Sequence, residues 1–296
     1  MNRRKVFNHP LAEVFGFPAD NMSSEATRCR KSKLCPFNNK VPNCTKDKAD
    51  NPLGVCSVFH DNRLAITCPI RFRQDWLIAE HAAAFFFPEG TSWTSLTEVR
   101  LSDKDGQIAG NIDVVLVAYD SGGKVLDFGA LEVQAVYISG NVRRPFEYYM
   151  ENPAANADMD WRKKSNYPRP DYLSSSRKRL VPQLIYKGGI LNAWKKKIAV
   201  ALDEGFYGTL PDLEETDSKN ADVAWLIYGL QYNNAQNKYS MVNKRMVYTA
   251  FSESLDKIAR PNVGSVQDFV GKLQEKLDEK LENGSKPDTK TIELGE

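Results

Sequence analysis

The sequence predicts an α/β protein with a small cysteine-bearing module ahead of its main body. Three observations carry this expectation. The stretch Gly110–Tyr137, GNIDVVLVAYDSGGKVLDFGALEVQAVY, reads as a hairpin of two apolar strands joined at Ser121–Gly123. Later segments mix strand-like apolar runs with helix-like periodic ones. All five cysteines (Cys29, Cys35, Cys44, Cys56 and Cys68) fall within one short early segment.

The hairpin poses the main chemical question. Side chains alternate faces along a strand. Ala130, Glu132, Gln134 and Val136 therefore share one face of the second strand, and Leu131, Val133, Ala135 and Tyr137 the other. In the first strand, Asn111, Asp113 and Val115 alternate with Ile112, Val114 and Leu116. Asp113 can then approach Glu132 and Gln134 across the pair. Carboxylates on an apolar face are costly unless paired or bound to a cation. A wet sheet face would continue the polar alternation, whereas this one continues into Val115, Val117 and Val136. A hard divalent cation such as Mg²⁺ answers two facing carboxylates.

The cysteine segment, RCRKSKLCPFNNKVPNCTKDKADNPLGVCSVFHDNRLAITCPIRF, is rich in Pro, Asn and Lys and cannot build an apolar core alone. A bound metal would supply the missing folding energy. Four thiolates suit zinc or a single iron. The competing reading is a set of buried free cysteines acting as small hydrophobes. Cys35-Pro36 and Cys68-Pro69 share a Cys-Pro step that stiffens the local backbone. Cys29, in the helix-like and exposed-looking SSEATRCRK, is the candidate for the odd one out.

Composition bounds the rest. The 296 residues are 42% hydrophobic and 26% charged, with a formal charge of +2, which is ordinary for a globular chain and announces no global field. The local distribution differs: Trp161–Ile198 holds eleven Lys or Arg against the single acid Asp171. Such a tract suits a polyanion, although on its own it fits a solvated helix face equally well. No apolar run approaches the roughly 20 residues of a spanning helix. The start, MNRRKVFNHPLAEVFGFP, lacks a signal-peptide core, so a cytoplasmic protein is expected. In that compartment thiols are ligands or catalysts more often than disulfide partners.

Other segments fill in the frame. TSWTSLTEVRLS reads as a helix before the first strand, with Ser95 and Glu98 at capping-box spacing; Glu98 is either a cap or a fourth acid of the site. SSSRKRLVPQLIYKGGILNAW begins as a helix and is expected to break at Pro182 and at Gly188-Gly189. KKIAVALDEGFYG, ADVAWLIYGLQY and NKRMVYTAFSE read as further strands. From Ser265, Phe269, Leu273, Leu277 and Leu281 recur every four residues, an amphipathic helix. The tail SKPDTKTIELGE is expected to be disordered.

The acids on neighbouring strands, Asp113 and then Glu132-Val133-Gln134, resemble a nuclease site of the PD-(D/E)XK type in which Gln replaces the usual Lys. A glutamine amide cannot serve as a general base near neutral pH; it orients water or offers its oxygen to a metal. LAEVFGFP, SSEATR, LCPF, NCTK, GVCSV, TCPIRF, NIDVVLV and GALEVQ, in that order, together resemble the NotI family of type II restriction endonucleases. The resemblance is clear over the first half of the chain and looser beyond it. It implies a mixed central sheet flanked by helices and a small N-terminal metal-thiolate subdomain. On that resemblance one iron would be held by Cys35, Cys44, Cys56 and Cys68, where thiolate chemistry alone leaves zinc open. Asp113 and Glu132 would hold Mg²⁺, Gln134 would orient the attacking water, and Glu98, unless it is only a cap, would serve a second metal or water. It further implies a homodimer acting on double-stranded DNA at a palindromic site, GC-rich in known members of the family, with a protective methyltransferase as its restriction-modification partner.

The expected organisation is 1–75 for the four-cysteine region, 76–260 for the nuclease core and 261–296 for a C-terminal helix and flexible tail. DNA contacts are expected from Arg162, Lys163, Lys164, Arg177, Lys178 and Arg179, and from Lys31, Lys33, Lys40, Lys46 and Lys48 of the cysteine region. The rival reading is a metal-stapled DNA-binding or scaffolding protein whose hairpin acids are structural and which cuts nothing.

Overall fold

A computed structural model describes residues 9–48, 50–61 and 63–282. The tail expected to be disordered and residues 1–8 lie outside these. Residues 1–259 form one compact unit and 260–296 another.

Within the first unit, four short strands come first: β1 (Leu11–Val14), β2 (Phe17–Pro18), β3 (Val55–His60) and β4 (Arg63–Ile66). They make an antiparallel sheet in the order β2-β1-β3-β4. The main sheet uses β5 (Trp93–Ser102), β6 (Ile108–Tyr119) and β7 (Val125–Gln134). The short strands β8 (Tyr137–Ser139) and β9 (Arg169–Asp171) pair with each other. Then follow β10 (Ile198–Asp203), β11 (Val223–Asn233) and β12 (Lys238–Thr249).

The main sheet runs β12-β11-β10-β7-β6-β5. It is mixed: β7, β10 and β11 are parallel, and the pairs towards both edges are antiparallel. IAVALD of β10 is buried throughout, as a central parallel strand covered on both faces must be. One face packs Val114, Leu116, Leu131 and Val133 under the helix Leu77–Phe86. A Cβ on Gly129 would lie 2.3 Å from the Phe86 ring, so only glycine allows that helix so close to the sheet. The other face packs Val115, Val117, Ala130 and Val200 under the helical run 172–193 and the helix Phe251–Ala259. These are the two faces that period-two alternation assigns to the hairpin.

Three expectations need correction. TSWTSLTEVRLS is the edge strand β5, not a helix; its side chains alternate between half-buried and exposed along an antiparallel ladder with β6 that is irregular at Glu98 and beyond Leu101, and pairing outweighs a capping-box pattern. Residues 172–193 are one continuous helical run, not one broken at Pro182 and Gly188. Two π-turns, Ser176–Leu180 and Leu184–Gly188, flank Pro182 and change the hydrogen-bond spacing around its missing N–H. Burial of Leu180, Leu184 and Leu191 holds the run on the sheet, and Gly188 is where the Phe251 ring comes closest. Cys29 does lie on a helix, Ser24–Lys31, but it is 3% exposed and packs with the core of the small sheet.

The second unit contains the helix Val266–Glu282, in which Phe269, Leu273, Leu277 and Leu281 are exposed.

Candidate functional site

Asp113, Glu132 and Gln134 come together where β6 and β7 part. The ladder of these strands ends at Val114↔Leu131, and Asp113 and Glu132 lie one step beyond that pair. Asp113 Oδ2 instead accepts the backbone N–H of Val133 at 2.8 Å. This fixes the carboxylate beside the two side chains that flank Val133. Glu132 is 4% and Gln134 1% exposed, and both face the helical run 172–193.

That run contributes two side chains one helical turn apart. Lys187 Nζ lies 2.5 Å from Glu132 Oε2 and donates to the Asn111 carbonyl at 2.9 Å. Gln134 Nε2 donates to Gln183 Oε1. Two oxygens are left buried and without a partner: Glu132 Oε1 and Gln134 Oε1. Burial first, and then the Asp113 charge, push the Glu132 carboxyl up to about 8, while Lys187 pulls the other way.

Such a centre fits a hard cation by the nature of its donors. It offers the two carboxylates and the Gln134 amide oxygen, and an orphaned buried oxygen is expensive unless something binds it. Among the described residues no three His, Cys, Asp or Glu side chains are gathered as a metal cage; the third oxygen donor here is an amide.

Glu98 stands apart from this group. It falls between the register pairs Thr97↔Val114 and Val99↔Ile112, level with Asp113. Its φ of 56° interrupts the strand, and its side chain is exposed.

Cys35, Cys44, Cys56 and Cys68 line one small cavity of about 10 Å³, and all are free thiols. Cys29 is not among the lining residues. Burial, with Cys68 and Cys44 adding, pushes Cys35 up to about 11; burial followed by Cys68 also raises Cys44 and Cys56. Burial thus favours the neutral form of Cys35, Cys44 and Cys56, and a soft cation would reverse that balance. The donor set fits a four-thiolate metal in kind, and the four cysteines line one cavity, although among the described residues the sulfurs are not drawn together as a cage. Lys46 braces the cavity, donating to Val55 O at 2.6 Å and Thr67 O at 3.1 Å, each next to a cysteine. It is therefore committed inward, which corrects its place among the expected DNA contacts.

The small sheet is tied to the far edge of the main one. Arg71 and Glu13 form an ion pair at 3.1 Å, both side chains 0% exposed. Arg71 also reaches Gln74 Oε1 at 2.7 Å and the Tyr239 carbonyl of β12 at 2.9 Å.

The basic tract divides in the folded chain. Arg162 pairs with Asp160, Lys196 with Asp127, and Lys187 is buried at the acids. Lys163, Lys164, Arg177 and Lys178 are exposed, and Arg179 stacks on Tyr137 at 5.2 Å. Sequence reasoning missed Lys187, Gln183 and Asn111. A signal did exist: Gln183 and Lys187 are four apart, in phase with Leu180, Leu184 and Leu191.

A mixed sheet flanked by helices, with two acids on adjoining strands at its surface, is compatible with the core of a restriction endonuclease. The family model of restriction endonuclease NotI matches residues 19–241, and the chain belongs to that family. Membership makes it a DNA-binding nuclease of the restriction class. No curated protein matches the chain. Among the described residues no helix is long and apolar enough to cross a membrane.

Proposed function

We propose that the protein is a Mg²⁺-dependent type II restriction endonuclease that hydrolyses double-stranded DNA at a palindromic site as a homodimer. One observation carries the reading: Glu132 Oε1 and Gln134 Oε1 are buried and unpartnered on either side of Val133, whose N–H holds the Asp113 carboxylate. Asp113, Glu132 and Gln134 would hold the cation. When bound, it would supply a lowered pKa for water and charge neutralisation at the phosphate.

The side chains divide the remaining work. Asp113 and Glu132 supply negative charge at a fixed position. Gln134, with its amide nitrogen anchored by Gln183, presents an oxygen that accepts a hydrogen bond from the attacking water. Gln134 takes no proton, so the proton passes to solvent or to a phosphate oxygen of the substrate as one P–O bond forms and another breaks. Glu98 is kept as an outer acid that contacts water only. Arg177, Lys178, Lys163 and Lys164 supply phosphate contacts. Cys35, Cys44, Cys56 and Cys68 hold one structural iron or zinc, and Cys29 does not.

The test incubates purified protein with unmethylated bacteriophage DNA in Mg²⁺ and, separately, in EDTA. Discrete fragments in Mg²⁺ alone, lost in Glu132→Ala while DNA binding persists, are the expected result. Cleavage retained by Glu132→Ala would remove these residues from the centre. Intact DNA across substrates of many compositions would leave the metal-stapled DNA-binding protein as the better reading.

A further inference from the structure

Lys187 is the group at the centre whose presence the acids alone do not explain. It is 5% exposed and reaches the acids from a different element, the helical run on the covering layer. Its shaft passes Gly110, whose φ of +131° only glycine adopts freely and where a Cβ would lie in van der Waals contact with Lys187 Cδ at 3.4 Å. An ammonium has three N–H donors. One goes to Glu132 Oε2 and one to Asn111 O; no third partner is present among the described residues.

Charge decides what that third donor is for. A divalent cation is cancelled by the carboxylates of Asp113 and Glu132. With Lys187 beside them, the loaded centre keeps a net positive charge, which suits an anionic phosphodiester. Without Lys187 it would be neutral. Fixed donors aimed at developing charge in a water-poor site are the strongest electrostatic device available to a catalyst.

We propose that Lys187 is a catalytic residue of this centre: its ammonium engages the scissile phosphodiester and supplies, from the helical run, the positive charge absent from the strand position held by Gln134. The assignment rests on the nuclease reading above. Holding Glu132 Oε2 is its second task, which leaves Oε1 for the cation.

The experiment uses the full chain and the DNA that the wild-type protein cuts. Lys187→Met is expected to slow single-turnover cleavage by about 10²–10³-fold, the usual effect of losing one preorganised donor. A second readout needs no turnover. Binding in Ca²⁺ is compared for the natural duplex and for one with a neutral methylphosphonate at the cut bond. The wild-type protein should bind the natural duplex about 10-fold or more tightly over the neutral one, as a charged hydrogen bond requires; Lys187→Met should bind both alike. The comparison is made at saturating Ca²⁺, where a Lys187 that only held Glu132 would leave the preference unchanged. Cleavage within about threefold of wild type, or discrimination retained in Lys187→Met, overturns the proposal. Should Lys187→Met fail to fold, Lys187→Arg keeps the charge with shifted donors. It should retain discrimination yet cut about 10-fold or more slowly, and wild-type cleavage by it would overturn the proposal. Loss of cutting in Glu132→Ala with full cutting in Lys187→Met would refute Lys187 alone. No cutting by the wild-type protein on any DNA would refute the nuclease reading itself, and this role with it.

Discussion

Gln134 donates its side-chain N–H to the Oε1 of Gln183, and the Gln134 carbonyl oxygen is left buried without a partner. The partner lies on the covering helical run, so the orientation of a strand residue is set by another layer of the fold. Gln183→Ala should therefore lower the cleavage rate by about 10–100-fold, the range seen when a supporting partner of a metal-site residue is lost. DNA affinity should be unchanged. The check is single-turnover cleavage beside a binding isotherm. An unaltered rate would show that Gln134 needs no anchor.

Cys44→Ser should abolish stoichiometric metal binding, because Cys44 lines the shared cavity, whereas Cys29→Ser should not, because it packs in the core of the small sheet. Elemental analysis of both purified variants for iron and zinc decides this. Equal metal content in the two would dismantle the four-thiolate assignment. Loss in Cys29→Ser alone would move the site.

Arg71→Met leaves Glu13 wholly buried without its ion-pair partner, so it should destabilise the protein by about 3–5 kcal/mol, the range for orphaning one partner of a buried pair. Glu13→Gln combined with Arg71→Met should recover part of that loss. Urea unfolding of the wild-type protein and both variants measures it. A shift within the error of the midpoint would mean that the pair carries little of the fold.

His9 is buried beside Tyr149, its Nδ1 accepts the Leu11 N–H at 3.0 Å, and burial lowers its pKa from 6.5 to about 4. The folded chain thus prefers neutral His9, while the unfolded chain takes up the proton at higher pH. Stability from this residue is fully present above pH 6.5 and drains away as pH falls towards about 4. The most it can amount to is about 3 kcal/mol. His9→Asn should flatten this component in unfolding free energies measured across that window. An identical pH dependence in the variant would place the titrating group elsewhere.

The hairpin and its two faces were legible in the sequence because strand alternation has a period of two and the apolar positions kept to it. Asp113, Glu132 and Gln134 stood out as polar residues on the apolar face. β5 was not legible, since its Ser and Thr residues serve a helix cap as well as an edge strand, and only the neighbouring β6 decides between them. Lys187 was hidden for a different reason. A lysine within a basic run reads as solvated, and nothing local shows that a carboxylate 55 positions away in the chain will meet it. Pro182 and the glycine pair pointed to a break because propensity is local, whereas burial against the sheet is not. Cys29 shows the same limit: its helix was written in the sequence, its burial was not.

The helical run 172–193 is continuous and carries charged side chains at two separate places. Arg177 and Lys178 stand in solvent near its start, and Lys187 grips Glu132 ten residues on, about 15 Å along the axis at 1.5 Å per residue. On the proposed function, a polyanion seated at the charged end would bear on the same run that carries the ammonium and the Gln183 anchor, and seating on DNA would be coupled to alignment of the cutting groups. A duplex that fits the outer end poorly would leave the inner end out of line, so discrimination between sites need not reside only in contacts with the bases.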